Sequence, residues 1–242
     1  MAEFKIPTEE ITLPSKGLIY PKDNPLSSGK IEMKYMTAKE EDILSNSSYL
    51  EKGTVIDKLL QSLIVSDINY NDLIIGDKNA IMVAARILGY GKNYTFNYNG
   101  EEVEIDLTKI DSKEIDESNF KPGVNNFEYT LPATDTKITF KILTHKDETN
   151  ISKEIEGLKK ISKNNSSTVS TRLKYIITSV EGDTEPKKIR EFVDKYMLAQ
   201  DSRALRNHIQ SIQPDLDLTF FPPNEEVRKP IPIGLNFFWP DI

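Results

Sequence analysis

The sequence predicts an α+β fold, in which a helical body carries small antiparallel β-hairpins or sheets and extended N- and C-terminal segments. Three observations lead to this prediction. Apolar residues recur at spacings of three and four in several stretches, as in amphipathic helices. An Asn-Gly dipeptide between two alternating stretches is typical of a tight hairpin. Proline and glycine punctuate both ends of the chain, and these residues favour turned and extended backbone.

The composition is that of a globular protein. The chain has 242 residues, of which 38% are apolar and 29% charged, and this length is sufficient to bury a core. There are no cysteines, which excludes disulfides, thiolate catalysis and cysteine-ligated metal sites. We expect no cofactor.

The sequence argues against membrane and nucleic-acid partners. No apolar run approaches the roughly 20 residues that a membrane helix needs. The first residues, MAEFKIPTEE, lack the basic and apolar regions of a secretory signal. The net charge is −7, and the basic stripe with aromatic residues that typifies nucleic-acid binding is missing.

The first element after the N-terminal lead-in is predicted to be a strand followed by a helix. Residues 31–35 alternate between apolar and charged side chains, which predicts a strand. Thr37 followed by Glu40 is typical of a helix N-terminus, so a helix is predicted over residues 38–46.

Two further helices are predicted before the first hairpin. Residues 54–65 carry apolar side chains on one helical face. The next helix is predicted to be capped by Asp77 and to stop at Gly89 and Gly91. Arg86 is the one charge in its middle, and it is either exposed or the partner of a neighbouring carboxylate.

The middle of the chain is predicted to contain β-hairpins. Residues 92–107 form a hairpin around Asn99-Gly100, because both positions tolerate positive φ. Residues 108–125 are polar and read as a linker between an N-terminal region, 1–107, and a C-terminal region, 126–242. A second strand pair is predicted at residues 127–131 and 137–143.

The second half changes to charged amphipathic helices. Residues 168–181 fit both a helix and a strand, and we favour a helix. A proline opens one helix, and Asp201 with Ser202 is expected to cap the last. The predicted helices cover residues 147–163, 168–181, 186–197 and about 201–212.

No catalytic signature is found. The two histidines, His145 and His208, lie in unrelated contexts and are interpreted as surface or cap residues. Asp215 and Asp217 share one strand face, which is interpreted as solvated. No phosphate-binding glycine loop or G-x-S-x-G motif is present. An enzyme is therefore disfavoured.

The two terminal segments are the candidate partner-binding sites. The first combines apolar residues with a Pro-Ser-Lys-Gly turn, and the second carries three consecutive aromatic residues that need to be covered. The alternative is that both segments fold onto the chain's own body. The predicted contact residues are Leu13, Leu18, Ile19, Tyr20, Phe237, Phe238 and Trp239.

Four stretches in this order resemble the baseplate hub proteins of T4-like contractile-tailed bacteriophages. They are LPSKGLIYP, KYMTAKEEDIL, LIIGDKNAIMVAARILGYG and the closing LNFFWP. Apart from the closing stretch, the resemblance covers roughly the first 107 residues. It implies a protein of the virion tail baseplate that is present in the host cytoplasm during assembly and binds other hub proteins, with a homo-oligomer also possible.

One feature departs from the family pattern. Relatives often place a Cys-x-x-Cys knuckle after the helix that ends near Gly91, whereas this chain has residues 97–100, Asn-Tyr-Asn-Gly. A second such place falls at residues 221–224, again without cysteine. An Asn-Gly turn forms without metal, so no zinc role is carried over.

The sequence thus favours a non-enzymatic structural protein of the baseplate hub. One alternative is an assembly chaperone that holds a hub protein and is absent from the finished virion. The other is a carboxylate-dependent hydrolase that acts on the cell wall. If the aromatic end contacts a partner, Phe238→Ala with Trp239→Ala abolishes incorporation and leaves the fold intact; if it belongs to the core, the double variant unfolds.

Overall fold

The computed structural model describes residues 5–161, 167–223 and 225–238. It has the predicted α+β architecture, with helices accompanied by small antiparallel sheets. The helices are α1 (Ala38–Leu44), α2 (Ser47–Glu51), α3 (Val55–Leu63), α4 (Ile75–Tyr90), α5 (His145–Ile161), α6 (Thr168–Ile176), α7 (Pro186–Lys195) and α8 (Ala199–Ile212). The strands are β1 (Thr8–Thr12), β2 (Lys30–Lys34), β3 (Asn93–Tyr98), β4 (Glu101–Asp106), β5 (Phe127–Thr130), β6 (Lys137–Phe140), β7 (Ile177–Val180), β8 (Thr219–Phe220) and β9 (Lys229–Pro230).

Each strand pairs with a neighbour that is antiparallel to it. β1 pairs with β2, β3 with β4, and β8 with β9, while β5, β6 and β7 form a three-stranded sheet in that order. The predicted hairpin at residues 92–107 is confirmed. Asn99 and Gly100 have φ values of 53° and 90°, the left-handed backbone that the tight turn requires.

The predicted helix over residues 38–46 is shorter than expected. α1 ends at Leu44, and α2 begins only three residues later. The side chain of Asn46 accepts a hydrogen bond from the backbone N–H of Tyr49 and thereby caps α2. The polar Asn-Ser-Ser stretch is therefore a helix start as well as a helix stop.

Two predicted helix caps lie inside their helices instead. α4 begins at Ile75 and α8 at Ala199, so Asp77 and Asp201 each occupy the third helical position. Both side chains are fully buried, and Ser202 is nearly so. These residues are held inward because other segments of the chain bind their carboxylates, as described below.

Residues 168–181 are both helix and strand. α6 ends at Ile176, and β7 follows at once and pairs with β6. Ile177 adopts extended backbone, with φ −74° and ψ 129°. The prediction of a continuous helix was wrong because the β-branched residues of β7 complete the edge of a sheet, where such side chains pack well.

One hydrophobic cluster runs through the whole described chain. It includes side chains of the N-terminal helices, the three-stranded sheet, α8 and the C-terminal segment. Residues 108–125 also take part, because Phe120 is buried and the Gly123 N–H donates to the Leu18 carbonyl at 2.7 Å. The division into residues 1–107, 108–125 and 126–242 stays a prediction.

Candidate interaction surface

The N-terminal segment is folded onto the chain's own body. Leu13 is fully buried, and Ile19 and Tyr20 are 2% and 5% exposed. Leu18 is half-buried against the same cluster. The segment approaches residues 25–29 so closely that a Cβ on Gly17, where φ is +78°, would lie 2.3 Å from the Ser27 carbonyl oxygen. Only glycine fits this crossing.

A buried carboxylate on α4 holds this segment in place. Asp77 accepts hydrogen bonds from the backbone N–H of Ser15 at 2.9 Å, from its hydroxyl at 2.7 Å and from the Tyr20 hydroxyl at 2.6 Å. The Tyr20 oxygen in turn accepts from the Ile74 N–H. Burial, followed by the charge of Asp77, raises the pKa of Tyr20, so the phenol remains a donor.

The C-terminal segment is also folded inward as far as it is described. Phe237 and Phe238 are fully buried. The Phe237 ring meets Tyr94 of β3 edge-on at 4.8 Å, and the Tyr94 hydroxyl donates to the Pro232 carbonyl at 2.7 Å. Trp239 lies outside the described residues.

The predicted contact role of these residues stays a prediction, and in this chain most of their described side chains are packed inside. A side chain without exposed area cannot touch a partner unless its segment detaches, which would also expose the core. Leu13, Ile19, Tyr20, Phe237 and Phe238 therefore serve this chain's own packing, which is the alternative that the sequence left open. Leu18 retains only part of its surface.

The β3–β4 and β8–β9 hairpins pack against each other. The Phe220 ring of β8 meets Phe96 at 5.0 Å and Tyr98 at 5.4 Å, both edge-on, and both partners belong to β3. The Tyr98 hydroxyl donates to Glu225 at 3.1 Å. Aromatic contacts of this geometry stabilise a pair beyond the area they bury, so they join the two hairpins.

Apolar side chains are exposed beside this aromatic contact. Phe221, Val227 and Leu235 are 61%, 67% and 44% exposed, and we name them the C-terminal apolar residues. The Arg228 guanidinium lies 4.9 Å from the centre of the Phe221 ring. Exposed aromatic and aliphatic residues close together in sequence are typical of protein contacts. In the sequence, these residues begin at the dipeptide Phe220-Phe221 before two prolines. Phe220 packs against β3, whereas Phe221 is exposed.

Four of the described helices carry a buried carboxylate at the same position. Each is the third residue of its helix and at most 7% exposed: Glu40, Asp77, Asp147 and Asp201. All four accept hydrogen bonds from other groups of the chain, and these bonds offset the unfavourable free energy of burying a charged group.

These carboxylates divide into two pairs. Glu40 and Asp147 bind the backbone N–H and hydroxyl of the threonine three residues earlier. The residues three positions before Asp77 and Asp201 are Ile74 and Leu198, which have no hydroxyl, and these two carboxylates bind other segments. Asp201 accepts from the Ala133 N–H at 2.7 Å and from the Thr134 hydroxyl at 2.8 Å, which fastens the turn between β5 and β6.

Arg86 and the two histidines are likewise engaged in packing. Arg86 is 2% exposed and donates to the carbonyls of Gly91 and Asn93, just beyond the end of α4. His145 begins α5 beside Asp57 and Lys78, and His208 stacks on Tyr129 at 4.5 Å. Burial lowers the pKa of both histidines.

The part of the chain that the structure describes holds neither a cluster of metal-binding side chains nor a helix that could cross a membrane. Within residues 5–161, 167–223 and 225–238, no three acidic or histidine side chains come close enough together to hold a metal ion. Over the same residues, no helix combines the length and hydropathy needed to cross a membrane.

Comparisons with known proteins found no relative of this chain. No protein-family model, curated protein or solved structure matches this chain.

Proposed function

We propose that this chain is a non-enzymatic structural protein of the baseplate hub of a contractile-tailed bacteriophage. In this proposal it binds other hub proteins during tail assembly and stays in the tail. The proposal rests on the resemblance of its N-terminal motifs and of its closing stretch to those of baseplate hub proteins.

The observation that carries the proposal is the contact between two of these motifs. Ser15 and Tyr20 belong to LPSKGLIYP, and Asp77 belongs to LIIGDKN, yet their side chains form one buried cluster. The residues are 57 and 62 positions apart. Motifs that interlock in this way specify a scaffold, and this supports a shared fold rather than a chance likeness of short stretches.

The burial of the carboxylates also supports a structural role. Glu40, Asp77, Asp147 and Asp201 each hold a helix start or a neighbouring segment. A carboxylate that served hydrolysis would need access to a substrate, whereas these four are covered.

The C-terminal apolar residues are the proposed contact with the hub. Phe221 and Val227 flank the turn of the β8–β9 hairpin, which is braced from behind by Phe96 and Tyr98. A braced hairpin loses little freedom on binding, so its exposed side chains can contribute more of their contact energy to association.

The test is incorporation of a surface variant into tails. Phe221→Ser with Val227→Ser removes exposed apolar area without disturbing the core. The control, Val65→Ser with Tyr196→Ser, changes two residues that are 49% and 60% exposed elsewhere on the surface. Each protein is supplied to a phage that lacks its own copy, and purified tails are probed by immunoblot.

We expect the control to enter tails like the wild type and the hairpin variant to be lost from them. Thermal unfolding of the isolated proteins checks that both variants remain folded. Equal incorporation of the two variants contradicts the proposed contact.

A further inference from the structure

A groove runs along one face of α8. Two cavities of about 300 Å³ each adjoin there and share Arg206, Ile209 and Gln213 in their walls. We name them together the α8 groove. Arg206 lies in α8 and Gln213 is the residue that follows its last turn, seven residues further on, so the common wall is about 10 Å long. That length accommodates about three residues of an extended peptide.

The floor of the first cavity is apolar. Leu143, Leu173 and Ile176 line it and are buried in the core, and Ile209 of α8 completes it. Val169 stands at the same cavity and is 47% exposed. An occupant therefore needs apolar side chains to exchange water for protein contact here.

The rim of the groove is positively charged. Lys113, Lys141, Arg172 and Arg206 line the two cavities, against only Glu148 and Asp215. This excess of cations is local, because the whole chain has a net charge of −7. A cationic rim around an apolar floor favours an occupant that is both acidic and apolar.

Arg206 is the rim cation that has no acidic partner among the residues that the structure describes. Arg172 binds Glu148 in a bidentate pair, Lys141 binds Asp147 at 2.7 Å, and Lys113 lies 4.0 Å from Asp215. Within the described residues, Arg206 makes a single hydrogen bond, from Nε to the Ser202 carbonyl at 3.2 Å. Its guanidinium thus remains able to pair with a carboxylate of another molecule, between the two cavities.

We propose that the α8 groove binds an extended segment of a partner protein in which apolar and acidic residues alternate. The apolar side chains occupy the cavity beside Val169 and Ile209, and a carboxylate pairs with Arg206. The groove is a second contact surface, and its assignment does not depend on the proposed role in a phage tail.

Three labelled nonapeptides test this proposal with the intact protein by fluorescence anisotropy. The first alternates leucine with glutamate, the second replaces glutamate by lysine, and the third replaces leucine by serine. We expect the first to bind at least about fivefold more tightly than either of the others, as the loss of an ion pair or of apolar contact predicts.

Variants assign the binding to the groove. Arg206→Glu is expected to weaken binding of the leucine-glutamate peptide about fivefold. Arg203→Glu makes the same charge change one turn earlier on α8, outside both cavities, and is expected to have little effect. Val169→Ser is expected to weaken binding through the apolar contact alone.

Three outcomes overturn the proposal. They are no binding of the leucine-glutamate peptide, equal binding of all three peptides, and equal effects of the Arg203 and Arg206 variants. Arg206 and Val169 are exposed, so their variants are expected to fold, and circular dichroism on each protein checks this.

Discussion

A buried carboxylate at the third position of a helix fixes either the start of that helix or a neighbouring segment at four places in this molecule. Where a threonine stands at the N-cap, as before Glu40 and Asp147, the carboxylate closes a local capping arrangement. Where the N-cap is Ile74 or Leu198, the carboxylate has no local hydroxyl to bind and reaches another segment. The identity of the N-cap residue therefore decides whether the carboxylate closes a local cap. Glu40 closes one with one oxygen and binds Lys34 and Ser62 with the other.

The clamp at Asp77 leads to a first prediction. Asp77→Ala leaves Ser15 and Tyr20 with buried donors that have lost their acceptor, so the free energy of unfolding is expected to fall by about 3 kcal/mol. Asp67→Ala is the control, because Asp67 is exposed, and its effect is expected to stay within about 0.5 kcal/mol. Urea unfolding measures both, and equal effects would refute the clamp.

The cap at Glu40 predicts a dependence of stability on pH. Burial alone would raise the pKa of Glu40, but hydrogen bonds from Thr37, Lys34 and Ser62 outweigh it and lower the pKa from 4.5 to about 2. A carboxyl whose pKa is lower in the folded state stabilises the fold above its unfolded pKa. Its contribution is therefore present above pH 4.5 and is lost as the pH falls towards 2.

Replacement of Glu40 tests this pH dependence. Unfolding free energies are measured at pH 4.5 and near pH 2 for the wild type and for Glu40→Gln. The wild type is expected to lose more stability than the variant over this range, by roughly 3 kcal/mol. Glu41→Gln changes the neighbouring exposed carboxyl and is expected to behave like the wild type. Parallel curves for all three proteins would exclude the role given to Glu40.

Helices and strands with a recognisable local sequence pattern were predicted correctly. Those whose structure depends on contacts with distant parts of the chain were not. α3 shows its apolar face, and the β3–β4 hairpin carries its Asn-Gly turn, so both follow from local sequence. The change from α6 to β7 depends on the exposed edge of β6, which is 37 residues earlier at Phe140 and Ile177. No local pattern contains that information.

The same limit applies to the candidate contact residues. Phe221, Phe237 and Phe238 are all aromatic residues near prolines, and the local sequence does not indicate which of them is buried and which is exposed. The structure distinguishes them because Tyr94 and the core cover Phe237 and Phe238, whereas the Phe221 side chain is 61% exposed. The segment was therefore predictable as apolar and docked, but the side chains facing outward were not.

The C-terminal element predicts a contrast between two phenylalanines. Phe238→Ala removes a fully buried ring and is expected to lower the free energy of unfolding by about 3 to 5 kcal/mol. Phe221→Ala removes a ring that is 61% exposed, and we expect a change within about 0.5 kcal/mol. Thermal or urea unfolding checks both. A stable Phe238 variant would restore the view of this end as a free contact segment.

In the whole molecule, the segment predicted as a linker is built into the fold. The Lys113 N–H donates to the Asp215 carbonyl and the Asp217 N–H to the Asp111 carbonyl, both at 2.8 Å. α4 meets the same place, because Asn79 donates to the Asp215 side chain at 2.9 Å. Residues from all three predicted regions therefore converge near Asp215.

Gly76 at this convergence gives a further prediction. A Cβ there would lie 1.9 Å from the Pro214 carbonyl oxygen, so Gly76→Ala is expected to cost roughly 3 kcal/mol or more through backbone displacement. Gly157 of α5 has open space around it, and Gly157→Ala is expected to stabilise the protein by about 1 kcal/mol. Calorimetry measures both changes. A tolerated Gly76 variant would show that α4 and residues 214–215 are not tightly joined.

The most direct test of the proposed function is mass spectrometry on purified phage tails. As a structural subunit of the hub, this chain is expected in the tails at a stoichiometry comparable to that of the other hub proteins. Its presence only in infected-cell lysate, bound to an unassembled hub protein, would make it an assembly chaperone. Its absence from both would contradict the assignment to the baseplate hub.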